Sequence, residues 1–186
     1  MKLRHLPNAI TGLRLAMAPL LLWLLWSQHF DWALGVALVA GASDLVDGFL
    51  AKRFGWQSRL GSLLDPIADK LMLGMAMLGL WLVAMLPGWL VGLVLVRDAV
   101  IVAGALAWWK LGGPFDGKPS LLGKLCTLAQ LALVLLCLVE LAGWLIPLQA
   151  RKEAIITTAL FTFTSGLDYV VRYGVRAWQA KRKPAA

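Results

Sequence analysis

Long apolar segments alternate with short polar or turn-forming stretches along most of the chain. The clearest breaks between them are residues 28–31, 87–88 and 112–114. Each of the six resulting segments is close to the roughly 20 apolar residues that a helix needs to cross a bilayer. The predicted segments are 10–26, 32–54, 66–86, 89–109, 121–146 and 155–175. The pattern therefore predicts an all-α polytopic membrane protein with six transmembrane helices.

The composition agrees with a membrane chain. Of the 186 residues, 60% are hydrophobic and 15% are charged, whereas a soluble domain carries about a quarter charged residues. Ten tryptophans, against two tyrosines and six phenylalanines, are typical of side chains at a membrane interface. These features exclude a soluble globular enzyme, a disordered chain and a fibrous repeat. Because no internal repeat is visible, residues 1–186 are predicted to form a single transmembrane domain.

The basic side chains indicate how the helices are oriented. The net charge is +8, and bases concentrate in the N-terminal stretch, in the connection 52–59, in residues 110–124 and in the basic tail 176–186. The alternate connections carry few bases. By the positive-inside rule, both termini are predicted to be cytoplasmic. Because the bases lie between apolar spans, the expected partners are membrane lipids and phosphorylated substrates, and no nucleic acid.

Four of the ten acidic residues fall within one window of 26 residues. Asp44 and Asp47 are three positions apart, and Asp65 and Asp69 are four apart, so each pair shares a helix face. The first pair lies in the predicted cytoplasmic half of the second span, and the other at the cytoplasmic start of the third. If these helices are adjacent, four carboxylates meet at the inner face of the membrane.

Two interpretations of this acidic cluster are open. The acids are either solvated or ion-paired with nearby bases such as Lys52, Arg53 and Lys70, or they bind a metal ion. A charge in the apolar region costs about 2.5–3.5 kcal/mol, and less near the interface. Four clustered carboxylates are therefore unfavourable unless a positive charge lies between them. A divalent cation that prefers oxygen ligands, Mg²⁺ or Mn²⁺, suits this position better than the nearby bases do.

The same residues form a sequence motif. From Asp44 the chain reads D-L-V-D-G-F-L-A-K and, after eight further residues, G-S-L-L-D-P-I-A-D. This resembles the signature of the CDP-alcohol phosphatidyltransferase family, D-x-x-D-G-x-x-A-R, eight residues, G-x-x-x-D-x-x-x-D. One position departs from the signature, because Lys52 stands where the family has arginine. Lysine keeps the charge and lacks the forked donor geometry of arginine, and Arg53 follows directly.

The resemblance implies an activity and a role for each matching residue. In this family an acceptor hydroxyl attacks the β-phosphorus of a CDP-linked substrate and expels CMP. The implied ligands of two Mg²⁺ or Mn²⁺ ions are Asp44, Asp47, Asp65 and Asp69. Asp69 is the implied catalytic residue, either as a metal ligand or as the general base. The implied contacts of the CDP-linked substrate, CDP-diacylglycerol, are Gly48, Ala51, Lys52, Arg53 and Gly61.

Four further side chains are candidates for binding a phosphate of the acceptor. Arg14, within the first apolar segment, either extends to the interface or contacts this phosphate. Arg97, within the fourth, either pairs with Asp98 or faces the phosphate. Lys124 and Thr127 belong to a G-K-x-x-T-x-x-Q pattern that resembles phosphatidylglycerophosphate synthases and CMP-forming cardiolipin synthases. Lys124 is alternatively a topology determinant.

The resemblance favours phosphatidylglycerol as acceptor, because Arg97-Asp98 and the following long loop are similar to the cardiolipin synthase type. Glycerol 3-phosphate, the acceptor of a phosphatidylglycerophosphate synthase, is the alternative. A small cation or proton carrier is an alternative of another class, since intramembrane acids also mark ion pathways. The resemblance further implies an amphipathic N-terminal segment, a homodimer, and a multi-pass protein of the cell (inner) membrane with its active site at the cytoplasmic face.

Overall fold

The computed structural model of the chain describes residues 6–54, 59–110 and 120–182, with side chains at 11–43, 65, 67–104 and 120–172. These residues form six helices and no strand. The helices are α1 (Leu6–Trp26), α2 (Phe30–Phe54), α3 (Arg59–Leu82), α4 (Gly88–Lys110), α5 (Leu121–Leu141) and α6 (Leu148–Arg182). The all-α prediction is confirmed for the described residues.

Two helices extend well beyond the apolar segments that predicted them. Helix α3 begins at Arg59 rather than near Pro66, and α6 covers Leu148–Arg182 rather than 155–175. The apolar pattern marks the part of a helix that meets apolar surroundings, whereas backbone hydrogen bonds continue the helix into polar sequence. The start of α3 therefore brings the second half of the acidic motif into one continuous helix.

Helices α1, α3 and α5 end in the same hydrogen-bonded cap. The residues two positions beyond their last helical residues have positive φ: Gln28 (59°), Ala84 (59°) and Gly143 (91°). In α1 the amides of Gln28 and the following residue donate to the carbonyls of Leu25 and the residue before it, at 3.1 and 2.9 Å. This pair of backbone hydrogen bonds is the Schellman motif. It ends α3 and α5 before the predicted limits of 86 and 146.

The chain divides into two compact units. The first comprises Met1–Pro87 with Val134–Leu148, and the second comprises Gly88–Leu133 with Gln149–Ala186. Helices α1, α2 and α3 therefore belong to the first unit, and α4 and α6 belong mainly to the second. Helix α5 contributes its beginning to the second unit and its end to the first.

In the first unit α1 packs against both α2 and α3. Leu21 and Leu25 of α1 are almost fully buried, as are Met77 and Leu80 of α3. The helices pack closely at Gly79, where an added β-carbon would lie 2.6 Å from Leu25 Cδ1 and 3.1 Å from Leu25 Cβ. A side chain at this position would force Leu25 to shift, so the glycine permits the close packing of α1 against α3.

In the second unit polar side chains join the helices. Gln130 Nε2 donates to Thr162 Oγ1 at 3.3 Å, and Cys126 Sγ lies 3.5 Å from the same oxygen. Thr158 Oγ1 donates to the Ala129 carbonyl at 3.2 Å. All four side chains that take part are buried. They hold α6 against α5 by hydrogen bonds, which suits helices in apolar surroundings.

Many large apolar side chains lie on the outside of these helices. The most exposed include Trp32 (72%), Trp144 (69%) and Val96 (62%). Among the described residues, two helices are long and apolar enough to cross a membrane, Leu121–Leu141 and Leu148–Arg172. Two apolar stretches, Thr11–Trp26 and Phe30–Ser43, are shorter. Extensive exposed apolar surface of this kind is typical of contact with lipid.

Candidate active site

Helices α1 and α3 bring four polar side chains together in the first unit. Thr11 and Arg14 are three positions apart on α1, and Asp65 and Asp69 are four apart on α3, so each pair shares a helix face. Thr11 Oγ1 donates to Asp65 Oδ1 at 2.5 Å. Arg14 Nη1 donates to Asp69 Oδ1, and Arg14 Nη2 lies 3.6 Å from Asp65 Oδ1. One guanidinium therefore bridges both predicted metal ligands that the structure describes.

The charges of this group differ greatly in exposure. The Arg14 side chain is 3% exposed, whereas those of Asp65 and Asp69 are 40% and 52% exposed. A buried guanidinium needs anionic partners, because an unpaired buried charge is strongly destabilising. Arg14 has these partners in Asp65 and Asp69. Its charge lies beneath the carboxylates, which open outward.

The other predicted residues of the acidic motif have no described side chains. The structure describes only the backbone at these positions. Gly61 belongs to α3, and the others belong to α2: Asp44, Asp47, Gly48, Ala51, Lys52 and Arg53. Their predicted contacts with metal and CDP fall outside the described side chains. Within those that are described, no three His, Cys, Asp or Glu side chains form a metal-binding group.

The donor chemistry of Asp65 and Asp69 fits a divalent cation. Their carboxylates lie one turn apart on the same face of α3 and are each about half exposed. Carboxylate oxygens are the ligands that Mg²⁺ and Mn²⁺ prefer. The tethering of one oxygen of each carboxylate to α1 fixes the orientation of both groups.

Arg97, a predicted phosphate-binding residue, lies in a separate polar group in the second unit. Its Nη1 donates to Asp98 Oδ1 at 2.7 Å, and its Nη2 donates to Ser165 Oγ at 2.7 Å. The Nε atom is buried and has no partner among the described residues. The arginine packs against glycines of two helices: added β-carbons would lie 3.6 Å from Nη2 at Gly123 and 3.5 Å from Cγ at Gly166. The predicted pairing with Asp98 is thus present.

Lys124 and Thr127 lie on the first turns of α5. Ser120 caps this helix, because its Oγ accepts the Gly123 amide at 3.1 Å and its carbonyl accepts the Lys124 amide at 3.1 Å. The Lys124 side chain is exposed. Thr127 Oγ1 donates to the Gly123 carbonyl at 3.1 Å and is also exposed. The cap therefore fixes the start of α5, where the G-K-x-x-T-x-x-Q pattern begins.

The structure also describes a recess apart from these residues. A cavity of about 480 Å³ is lined by residues 28–32 and 141–143 in the first unit. None of the predicted site residues lines it. Since it lies at the C-terminal ends of α1 and α5, and Thr11 and Arg14 lie near the other end of α1, the cavity is not part of the acidic group.

Two residues that position the predicted groups were absent from the sequence-based prediction. Thr11 contacts Asp65, and Ser165 contacts Arg97. The signal for Thr11 was its place three residues before Arg14 on an apolar helix. Ser165 lies in the most polar of the apolar segments, but nothing in the sequence indicates which of its hydroxyls meets Arg97.

Comparison with known proteins identifies related chains. The family model of CDP-alcohol phosphatidyltransferases matches residues 4–167. A CMP-forming cardiolipin synthase of Streptomyces coelicolor is 37% identical over 152 residues, covering 78% of this chain and 70% of that protein. A "Probable phosphatidylglycerophosphate synthase" of Mycobacterium tuberculosis is 34% identical over 178 residues, covering 92% of this chain and 82% of the relative.

A third relative is longer than this chain. The chloroplastic CDP-diacylglycerol–glycerol-3-phosphate 3-phosphatidyltransferase 1 of rice, Oryza sativa, is 35% identical over 153 residues. The matched region covers 73% of this chain and 46% of the rice protein. The relatives are thus named both as a cardiolipin synthase and as enzymes that form phosphatidylglycerophosphate.

Proposed function

Because this chain belongs to the CDP-alcohol phosphatidyltransferase family, we propose that it transfers the phosphatidyl group of CDP-diacylglycerol to phosphatidylglycerol. The observation that carries the proposal is the pair of half-exposed carboxylates, Asp65 and Asp69, on one face of α3. They occupy the last two acidic positions of the family motif. A cation or proton carrier is disfavoured by membership of a family of CMP-forming transferases.

The proposed reaction assigns each of these side chains a task. A hydroxyl oxygen of the acceptor forms a bond to the β-phosphorus, the phosphoanhydride bond breaks, and CMP leaves with the bridging oxygen. Asp69 would accept the hydroxyl proton or hold metal, and Asp65 would hold metal together with Asp44 and Asp47. Two bound Mg²⁺ or Mn²⁺ ions would neutralise the diphosphate and stabilise charge on the attacking and leaving oxygens. A positioned carboxylate base contributes about 10²–10⁴-fold to such a reaction.

The proposed acceptor follows from the polar group around Arg97 in the second unit. Arg97 has a buried Nε without a partner among described residues, and an arginine with unused donors suits a phosphate. We propose that Arg97, Lys124 and Thr127 bind the phosphate of phosphatidylglycerol. Glycerol 3-phosphate also carries a phosphate and stays the alternative acceptor, in keeping with the names of the relatives from rice and Mycobacterium tuberculosis.

The proposal places the protein in a membrane that contains its lipid substrates. We propose six spans in the cell (inner) membrane, with both termini and the acidic group at the cytoplasmic face, and a homodimer as the functional form. The distribution of bases supports this orientation. The exposed apolar side chains of both units support lipid contact.

The test is CMP release by purified protein in mixed micelles that contain CDP-diacylglycerol and Mg²⁺. Phosphatidylglycerol and glycerol 3-phosphate are offered separately. Asp65→Asn and Asp69→Asn are expected to lose at least about a hundredfold in rate, since each removes a carboxylate from the reacting centre. Asp168→Asn is the matched control, because Asp168 pairs with Arg172 on α6, apart from the acidic group. Chelation of the metal is expected to abolish release, and Mg²⁺ or Mn²⁺ to restore it.

The acceptor experiment separates the two reactions. Release with phosphatidylglycerol alone supports the proposal, whereas release with glycerol 3-phosphate alone keeps the chemistry and changes the acceptor. An Asp69→Asn variant as active as the parent would contradict the assignment of the site.

A further inference from the structure

We propose that Arg14 is a resident counter-charge for the metal-binding carboxylates, and that Thr11 and Arg14 together hold these carboxylates in their working orientation. The inference rests on the proposed function, because it concerns the same two aspartates. It gives α1 a positioning role in a site whose sequence motif lies wholly in α2 and α3.

The contacts show that α1 reaches both aspartates at once. Thr11 Oγ1 and Arg14 Nη2 both approach Asp65 Oδ1, at 2.5 and 3.6 Å, while Arg14 Nη1 donates to Asp69. A planar guanidinium has several donors in a fixed geometry and can engage two carboxylates together, which an ammonium group cannot do equally well. Among the described contacts, the guanidinium of Arg14 and the hydroxyl of Thr11 therefore hold the two aspartates from the side of α1.

The burial of Arg14 explains why this role requires a permanent charge. Two carboxylates four residues apart on a helix repel each other, and the repulsion is strongest when no metal is bound. Arg14 is 3% exposed beside them, so it has little water to screen it and keeps its effect on the carboxylates. The same positive charge opposes a metal cation, so it lowers the affinity of the aspartates for metal while it fixes their geometry.

This role differs in a measurable way from a contact with substrate phosphate. A phosphate contact would raise the KM for acceptor or CDP-diacylglycerol when Arg14 is replaced. A counter-charge would lower kcat without raising either KM, because the carboxylates remain present but lose their orientation. It would also tighten the binding of metal in the absence of any substrate, which no phosphate contact does.

The experiment compares Arg14→Gln, Arg14→Lys, Thr11→Val and Thr11→Ser with the parent. Arg172→Gln is the control for the loss of an arginine–aspartate pair, because Arg172 pairs with Asp168 within α6, apart from the acidic group. Binding of Mn²⁺ to substrate-free protein is measured by the electron paramagnetic resonance signal of free Mn²⁺. Thermal unfolding is recorded in chelator and in excess Mn²⁺, and CMP release gives kcat and KM.

Arg14→Gln is expected to bind Mn²⁺ several-fold more tightly than the parent and to lower kcat at least about tenfold. Its melting temperature falls in chelator, and Mn²⁺ raises it by more than it raises that of the parent. The Mn²⁺ affinity and the kcat of Arg14→Lys are expected to lie between those of Arg14→Gln and those of the parent. Thr11→Val lowers kcat by a smaller factor, and Thr11→Ser, which keeps the hydroxyl, restores it.

The outcomes distinguish this inference from the proposed function. If the parent binds no Mn²⁺ and releases no CMP, the proposed function fails and the inference fails with it. If the parent binds Mn²⁺ and releases CMP, the proposed function stands and the inference is tested by itself. It is overturned if Arg14→Gln binds Mn²⁺ no more tightly than the parent, or if its KM is raised while its kcat is unchanged. Where Arg14→Gln folds poorly, Arg14→Lys and Thr11→Val give the same comparison with milder changes.

Discussion

At the scale of single residues, Ser165 has a defined effect on the arginine predicted to bind phosphate. Its Oγ accepts from Arg97 Nη2 at 2.7 Å and is almost fully buried. A hydrogen bond to a charged group contributes about 1.5–3 kcal/mol. Because Asp98 takes the other terminal nitrogen, Ser165 and Asp98 together fix the plane of the guanidinium.

Ser165→Ala is therefore expected to raise the KM for the acceptor about tenfold and to change kcat less, since about 1.4 kcal/mol of lost binding corresponds to this factor. Steady-state CMP release at varied acceptor concentration measures it. Thr164→Ala is the matched control, because the neighbouring hydroxyl is exposed and donates only to carbonyls of its own helix among the described groups. An equal effect of both variants would contradict the role of Ser165.

The sequence identified Arg14 as unusual but did not identify its partners. The prediction sought cations for the acids among their chain neighbours, Lys52, Arg53 and Lys70. Among the described contacts, Asp69 pairs with a residue 55 positions away, on a helix that is adjacent to α3 in the fold and distant from it in the sequence. Pattern and spacing can show that a charge needs a partner, but the choice of partner depends on which helices are adjacent.

At the scale of helices, the caps of α1 and α3 use side-chain-bearing residues where glycine is the usual choice. Ala84 has φ of 59°, a conformation that costs an L-residue roughly 1–2 kcal/mol. Its amide donates to the Trp81 carbonyl at 2.9 Å, so the cap is formed in spite of this cost. Gly143 occupies the equivalent position at the end of α5, and as a glycine it adopts a positive φ without this cost.

Ala84→Gly is expected to stabilise the protein by about 0.5–1 kcal/mol, since glycine adopts this conformation freely and the gain is partly offset by its greater freedom in the unfolded chain. Thermal unfolding in detergent measures the change. Gly143→Ala is the reciprocal variant and is expected to lower the melting temperature. A destabilised Ala84→Gly variant would show that the unfolded-state cost exceeds the relief of strain.

Six helices were predictable because apolar length is a strong signal, while their ends were not. The apolar run continues past Leu82 to 86 and past Leu141 to 146, so hydropathy alone extends both helices. The ends are fixed by backbone hydrogen bonds at Ala84 and Gly143. Only Gly143 gives a residue-type signal for such a cap, and an alanine with positive φ gives none.

At the scale of the whole molecule, the proposed orientation can be tested by labelling. The native Cys126 and Cys137 are buried, so they are expected to react slowly with a membrane-impermeant maleimide. Gln28→Cys, in the exposed turn between α1 and α2, is expected to react in intact cells. Ala180→Cys, near the end of α6, is expected to react only after the membrane is permeabilised. Labelling of Ala180→Cys in intact cells would reverse or refute the proposed topology.

The buried guanidinium on α1 also constrains how the protein is made. Ribosomes synthesise α1 first, and the acids that neutralise Arg14 follow 51 to 55 positions later in the chain. Until α3 emerges, the nascent helix carries a charge whose insertion into lipid costs about 2.5–3.5 kcal/mol. If α1 and α3 span the membrane as proposed, α1 is expected to stay in the translocon or at the membrane surface until α3 is available. The two helices would then integrate in one concerted step, because Arg14 on the first helix is neutralised by acids on the other.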